Sequence, residues 1–94
     1  MIVEKLNFTE GAKYPEYSLS DNTLTIDGKI FNLDAEQEDS EKTVDIISNS
    51  KYIARIIIPP AGYEERIVSE EQIERIKKAL NIEKVKLILW PEGR

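Results

Sequence analysis

The chain has 94 residues, with 18 acids against 13 bases, and contains no histidine and no cysteine. That length supports a single domain over residues 1–94. The missing residue types exclude disulfide scaffolds, thiolate and imidazole metal sites, cysteine nucleophiles and Ser-His triads.

A 40% hydrophobic fraction clears the disordered class and suffices for one modest core. The charge is uneven: residues 1–50 hold 4 bases and 11 acids, net −7, and residues 51–94 hold 9 bases and 7 acids, net +2. Glu4 and Lys5 interrupt any apolar run after Met1, so no secretory signal is read there. The longest apolar stretches, Ile56 to Ile58 and Leu87 to Trp90, fall far below the ~20 residues of a membrane span. Cytoplasmic residence is the expectation. The sequon Asn7-Phe8-Thr9 has no secretory signal to give it a use.

Ile2 to Phe8 alternates, with Ile2, Leu6 and Phe8 on one side, and predicts a strand. Tyr17 and Leu19 alternate with polar neighbours and predict a short one. Thr23 to Ile26 and Lys29 to Leu33 flank Asp27-Gly28, a preferred type I′ pair because both turn residues need positive φ. A two-residue loop pairs Ile26 with Lys29 and Leu24 with Phe31, and places Leu24, Ile26, Phe31 and Leu33 on one face.

Residues 34–41 carry five acids: Asp34, Glu36, Glu38, Asp39 and Glu41. Their alternation starts like a calcium loop, but Asp39 stands where Gly is needed and Asp45 where the bidentate Glu belongs. A solvated acidic loop is the plainer reading. Thr43 to Ile47 and Tyr52 to Ile58 then flank Ser48-Asn49-Ser50, a second hairpin step that Pro59-Pro60 ends by removing two donors. Tyr63 to Val68 is ambiguous and short.

Ser69 to Leu80 predicts a helix. Ser69 and Gln72 form a capping box, Val68 and Ile73 a hydrophobic staple, and Glu71–Arg75 and Glu74–Lys78 ordered i,i+4 pairs. Ile73, Ile76 and Leu80 make a narrow apolar stripe. Lys84 to Trp90 is the last strand, with Val85, Leu87 and Leu89 on one face and Ile88 and Trp90 on the other. The fold expectation is α+β: five to seven mainly antiparallel strands, as a sandwich or curled barrel, with one helix at about 69–80 before the last strand.

One feature points outward. Tyr52, Ala54, Ile56 and Ile58 share one face, while Ile53 and Ile57 lie on the other around Arg55, joined by Ile47 and Ile88. A half-solvated antiparallel sheet is apolar on one side only. Either the N-terminal hairpin folds across the second face, or another chain covers it. Ile53, Arg55, Ile57, Ile88 and Trp90 are therefore candidate protein-contact residues.

Other chemistry is thinly represented. The isolated glycines make no phosphate loop, and no sequence feature brings two acids across a cleft. Arg75, Lys77, Lys78, Lys84 and Lys86 lack the aromatic platform of a single-strand binder, apart from Trp90. Neither an enzyme nor a nucleic-acid binder is expected, and no cofactor, metal or membrane partner.

The segment from Tyr52 to Pro60, with Tyr63 and the later run Val85 to Pro91, resembles a pattern in small uncharacterised bacterial proteins of prophage-type gene neighbourhoods. It covers under half the chain, and no catalytic residue is carried over. The resemblance implies a virion or accessory structural protein. The expectation is thus a structural or protein-interaction module, self-associating or docking through the second face. The alternative is a small acidic regulator that binds a basic partner through 34–41.

Overall fold

The computed structural model describes residues 1–7 and 10–92; the end of the first expected strand, at Phe8, falls outside them. Nine strands form: β1 (Ile2–Lys5), β2 (Tyr17–Ser20), β3 (Thr23–Ile26), β4 (Lys29–Asn32), β5 (Lys42–Ser48), β6 (Lys51–Ile58), β7 (Tyr63–Ser69), β8 (Gln72–Lys77) and β9 (Lys86–Leu89). One helical turn, α1 (Leu33–Glu36), follows β4, and a 3-10 turn at Ile82–Lys84 precedes β9. The strands make a four-stranded sheet in the order β1-β9-β6-β5, a three-stranded sheet β2-β3-β4 and a separate β7-β8 hairpin. Among the described residues only the β1–β9 pairing is parallel.

Turn chemistry sets the local structure. Asp27 and Gly28 take φ of 49° and 77°, the type I′ geometry expected, and Ile26 pairs with Lys29 and Leu24 with Phe31. Asn49 and Ser50 also both take positive φ, 52° and 63°, so the β5–β6 loop closes in the same way.

One core results. Leu24 and Ile26 of β3 and Leu33 of α1 are buried in one cluster with Ala54, Ile56 and Ile58 of β6, with Val85, Leu87 and Leu89, and with Ile46 and Leu80. Phe31 packs at its margin. In β1 it is Val3, opposite Leu87, that packs against this core, while Ile2 is exposed.

The expected helix at 69–80 is absent. Ser69 to Lys77 completes the β7-β8 hairpin, with Glu70 and Glu71 as its turn. Ile67 lies opposite Ile73, Glu65 opposite Arg75 and Arg66 opposite Glu74, so the charges that would pair at i,i+4 along a helix pair across strands instead. Caps and ion pairs contribute about 0.3–1 kcal/mol each, and helices in proteins depend on burying an apolar face. Here the sheet face that such a helix would cover is already occupied by β3 and α1. Of the stripe only Leu80 is buried.

The hairpin stands away from the body, and every residue of it except Lys77 is exposed. The molecule is accordingly elongated, 62 × 23 × 21 Å.

Candidate interaction face

β6 has two unequal faces. Ala54, Ile56 and Ile58 point into the core. Arg55 and Ile57 point the other way, and the pairing aligns them in two cross-strand rows. One row runs Thr43, Ile57, Lys86, Ile2, and the next runs Asp45, Arg55, Ile88, Glu4. The three-stranded sheet lies on the core side, so the N-terminal hairpin does not fold across this face. Ile57 and Ile88 are half-buried by their own sheet and belong to no core cluster, while Ile2 and Ile47 are exposed.

The charges on the face are paired within it. Arg55 donates from Nε to the Asp45 carboxylate at 2.6 Å, and Lys86 Nζ sits 2.8 Å from Glu4 Oε2. Hydrogen bonding to Asp45 and its charge raise the Arg55 pKa above its ordinary value. The same guanidinium lies 5.8 Å from the centroid of the Trp90 ring, a cation–π contact.

A bulge alters the end of the face. Ile46 opposes Ala54, but Ile47 opposes Tyr52, which leaves Ile53 as the extra residue of β6. Tyr52 therefore joins Ile47 on the open side, not Ala54 on the core side as strict alternation implies. Its ring lies 6.4 Å from that of Trp90. Ile53 packs at the core margin, and its carbonyl accepts the Trp90 amide at 3.0 Å. Of the five candidate residues, Arg55, Ile57, Ile88 and Trp90 thus share the open side, and Ile53 turns away from it.

The acidic stretch is largely occupied by contacts of its own. Lys77 Nζ donates to the Asp34 carbonyl and carboxylate at 3.0 and 3.1 Å. Lys42 Nζ bonds Glu36 at 2.8 Å and lies 3.7 Å from Glu38. The Tyr63 hydroxyl donates to Asp39, and Glu41 is exposed just before β5. Hydrogen bonding to Glu36 raises the Lys42 pKa, and hydrogen bonding to Asp39 raises that of Tyr63. Asp34 and Asp39 tie the root of the β7-β8 hairpin to the body. Among the described residues no three acidic side chains converge on a metal-sized site.

The hairpin carries apolar surface that the sequence reading assigned to a helix. Ile67 is 78% exposed and Ile73 63%, directly opposite each other near the tip, with Val68 beside them. The signal was present in Tyr63 to Val68, whose strand character extends through the following segment. No described helix is long and apolar enough to cross a membrane.

No family model matches this chain, and neither a curated protein nor a solved structure matches it.

Proposed function

We propose that this chain is a non-enzymatic structural and protein-interaction module that associates with a second copy of itself through the open face of the four-stranded sheet. The observation that carries this reading is the row structure of that face. Ile57, Ile88 and Ile2 stand on a sheet whose other side already holds the whole core. Exposed apolar surface gathered in one place favours association. The face's acids and bases are paired internally, Arg55 with Asp45 and Lys86 with Glu4, so it meets a copy of itself without like-charge repulsion. The resemblance of 52–63 and 85–91 to proteins of prophage-type neighbourhoods agrees with a virion or accessory structural role.

The acidic regulator reading is less well supported. Four of its five acids are engaged by Lys42, Lys77 and Tyr63, so a basic partner would have to displace those contacts.

Light scattering on a sizing column tests the proposal. The wild-type chain is expected near twice its 10.8 kDa mass at high concentration, and Ile88→Asp near the single-chain mass. A wild type that stays at one chain mass into the millimolar range contradicts the self-association reading.

A further inference from the structure

At the end of the four-stranded sheet opposite the hairpin, a cleft of about 600 Å³ opens between the β3–β4 turn, the β5–β6 turn and the end of β9. Pro15, Tyr52, Trp90 and Pro91 line it, together with the carboxylates Asp27 and Glu92. A second cleft, of about 700 Å³, adjoins it and shares those two acids, bringing Tyr14, Tyr17 and Glu16. Lys51 lines the first cleft and Lys13 the second, but no base lines both. The junction of the two clefts is therefore acidic.

Asp27 and Glu92 differ from the acids of 34–41 in what they contact. Their backbones are pinned, since the Asp27 amide donates to the Glu16 carbonyl at 3.1 Å and the Glu92 amide to the Lys13 carbonyl at 2.7 Å. Their carboxylates have no hydrogen-bond or ion-pair partner among the described residues.

Two aromatic rings and two solvent-exposed carboxylates line the same cleft, a combination suited to a planar cation. A guanidinium stacks on aromatic rings while its N–H edge bonds carboxylates, whereas a strongly hydrated ammonium does this less well. The chain's own Arg55 already lies 5.8 Å from the centroid of this same indole. A net charge of −5, concentrated in residues 1–50, attracts basic partners over a longer range. We infer that the cleft binds an arginine side chain of an extended basic peptide, with the guanidinium held by Tyr52 and Trp90 and paired with Asp27 and Glu92. Tyr52 and Trp90 stand at the end of the open face, whereas Asp27 and Glu92 lie outside its rows.

Trp90 is the chain's one tryptophan, so its emission reports on the cleft directly. The probe is the blocked pentapeptide Ala-Pro-Arg-Pro-Ala, compared with its isosteric citrulline form. The arginine peptide is expected to change the emission saturably, and the citrulline peptide to bind about tenfold more weakly, as loss of a charge-assisted pair implies. Asp27→Asn is a safe variant, because Asn tolerates the φ of 49° at that turn, and Glu92→Gln lies outside the strands. Each is expected to weaken arginine-peptide binding and its salt dependence, and exposed Tyr52→Ala to weaken binding of both peptides. Equal responses to the two peptides, or no effect of either carboxylate variant, would overturn the inference. So would a response to a neutral oligosaccharide such as cellotriose with none to the arginine peptide. In samples dilute enough for the open face to be unassociated, Ile88→Asp is expected to leave this titration unchanged, so either proposal can fail without the other.

Discussion

Tyr63 joins the acidic stretch to the hairpin through one hydroxyl. Its phenol donates to Asp39 while Arg75 lies over its ring at 4.4 Å, so the root of β7 is fixed on two sides. The bond to Asp39 raises the Tyr63 pKa above its ordinary 10.0. A group whose pKa is raised by folding contributes stability that is complete below its unfolded value and is lost as pH rises through the folded one. The root contact is therefore intact at neutral pH and fails on the alkaline side, above about pH 10. Tyrosinate absorbance is the check. Asp39→Asn is expected to move the Tyr63 part of the titration to lower pH; superimposable titrations of the wild type and the variant would remove the contact from the account. Gly28 is constrained differently. Its φ of 77° is left-handed, where a Cβ costs about 1–2 kcal/mol, although the surrounding space is open. Gly28→Ala is expected to lower unfolding stability by that amount in a urea titration, through backbone strain alone.

Among the elements, β6 and the β7-β8 hairpin are the extremes. β6 buries Ala54, Ile56 and Ile58 completely, so Ile56→Ala is expected to cost about 2–5 kcal/mol. Ile67 and Ile73 bury little against the body, so Ile67→Asp is expected to change single-chain stability by no more than about 0.5 kcal/mol. Two-stranded hairpins are marginal by themselves in water. Amides of β7 and β8 should therefore exchange with deuterium far faster than those of β6 and β9; equal protection would mean that the hairpin is held by contacts beyond its root. The same segment shows where reading the sequence failed. Ser69, Gln72, Glu74 and Lys78 satisfy every local rule for a helix, and each rule is worth a fraction of a kcal/mol. What decides the segment is whether Ile73 and Ile76 find a surface to bury against, and that depends on where β3 packs. By contrast Asp27-Gly28 was legible, because a two-residue turn needing two positive φ values leaves few alternatives.

For the molecule as a whole, the sequence showed that apolar residues outnumber one covered face, and the sheet order shows which face stays open. Arg55, Ile57, Ile88 and Trp90 were placed together by alternation alone. Ile53 and Tyr52 were misplaced because a bulge inserts one residue and reverses the faces beyond it. The engagement of Asp34 and Asp39 was hidden because their partners Lys77 and Tyr63 lie 43 and 24 positions away, on an element expected to have a different shape. The arrangement that results has a single core beneath the four-stranded sheet, an uncovered face above it and an exposed arm at one end.

The uncovered face is tested most directly on isoleucine methyl groups, by nuclear magnetic resonance with a soluble paramagnetic probe at several protein concentrations. The Ile57 and Ile88 methyls are expected to be strongly broadened in dilute samples and to become protected as concentration rises, with Ile46 and Ile56 protected throughout. Broadening of Ile57 and Ile88 that is the same at every concentration would contradict association through this face.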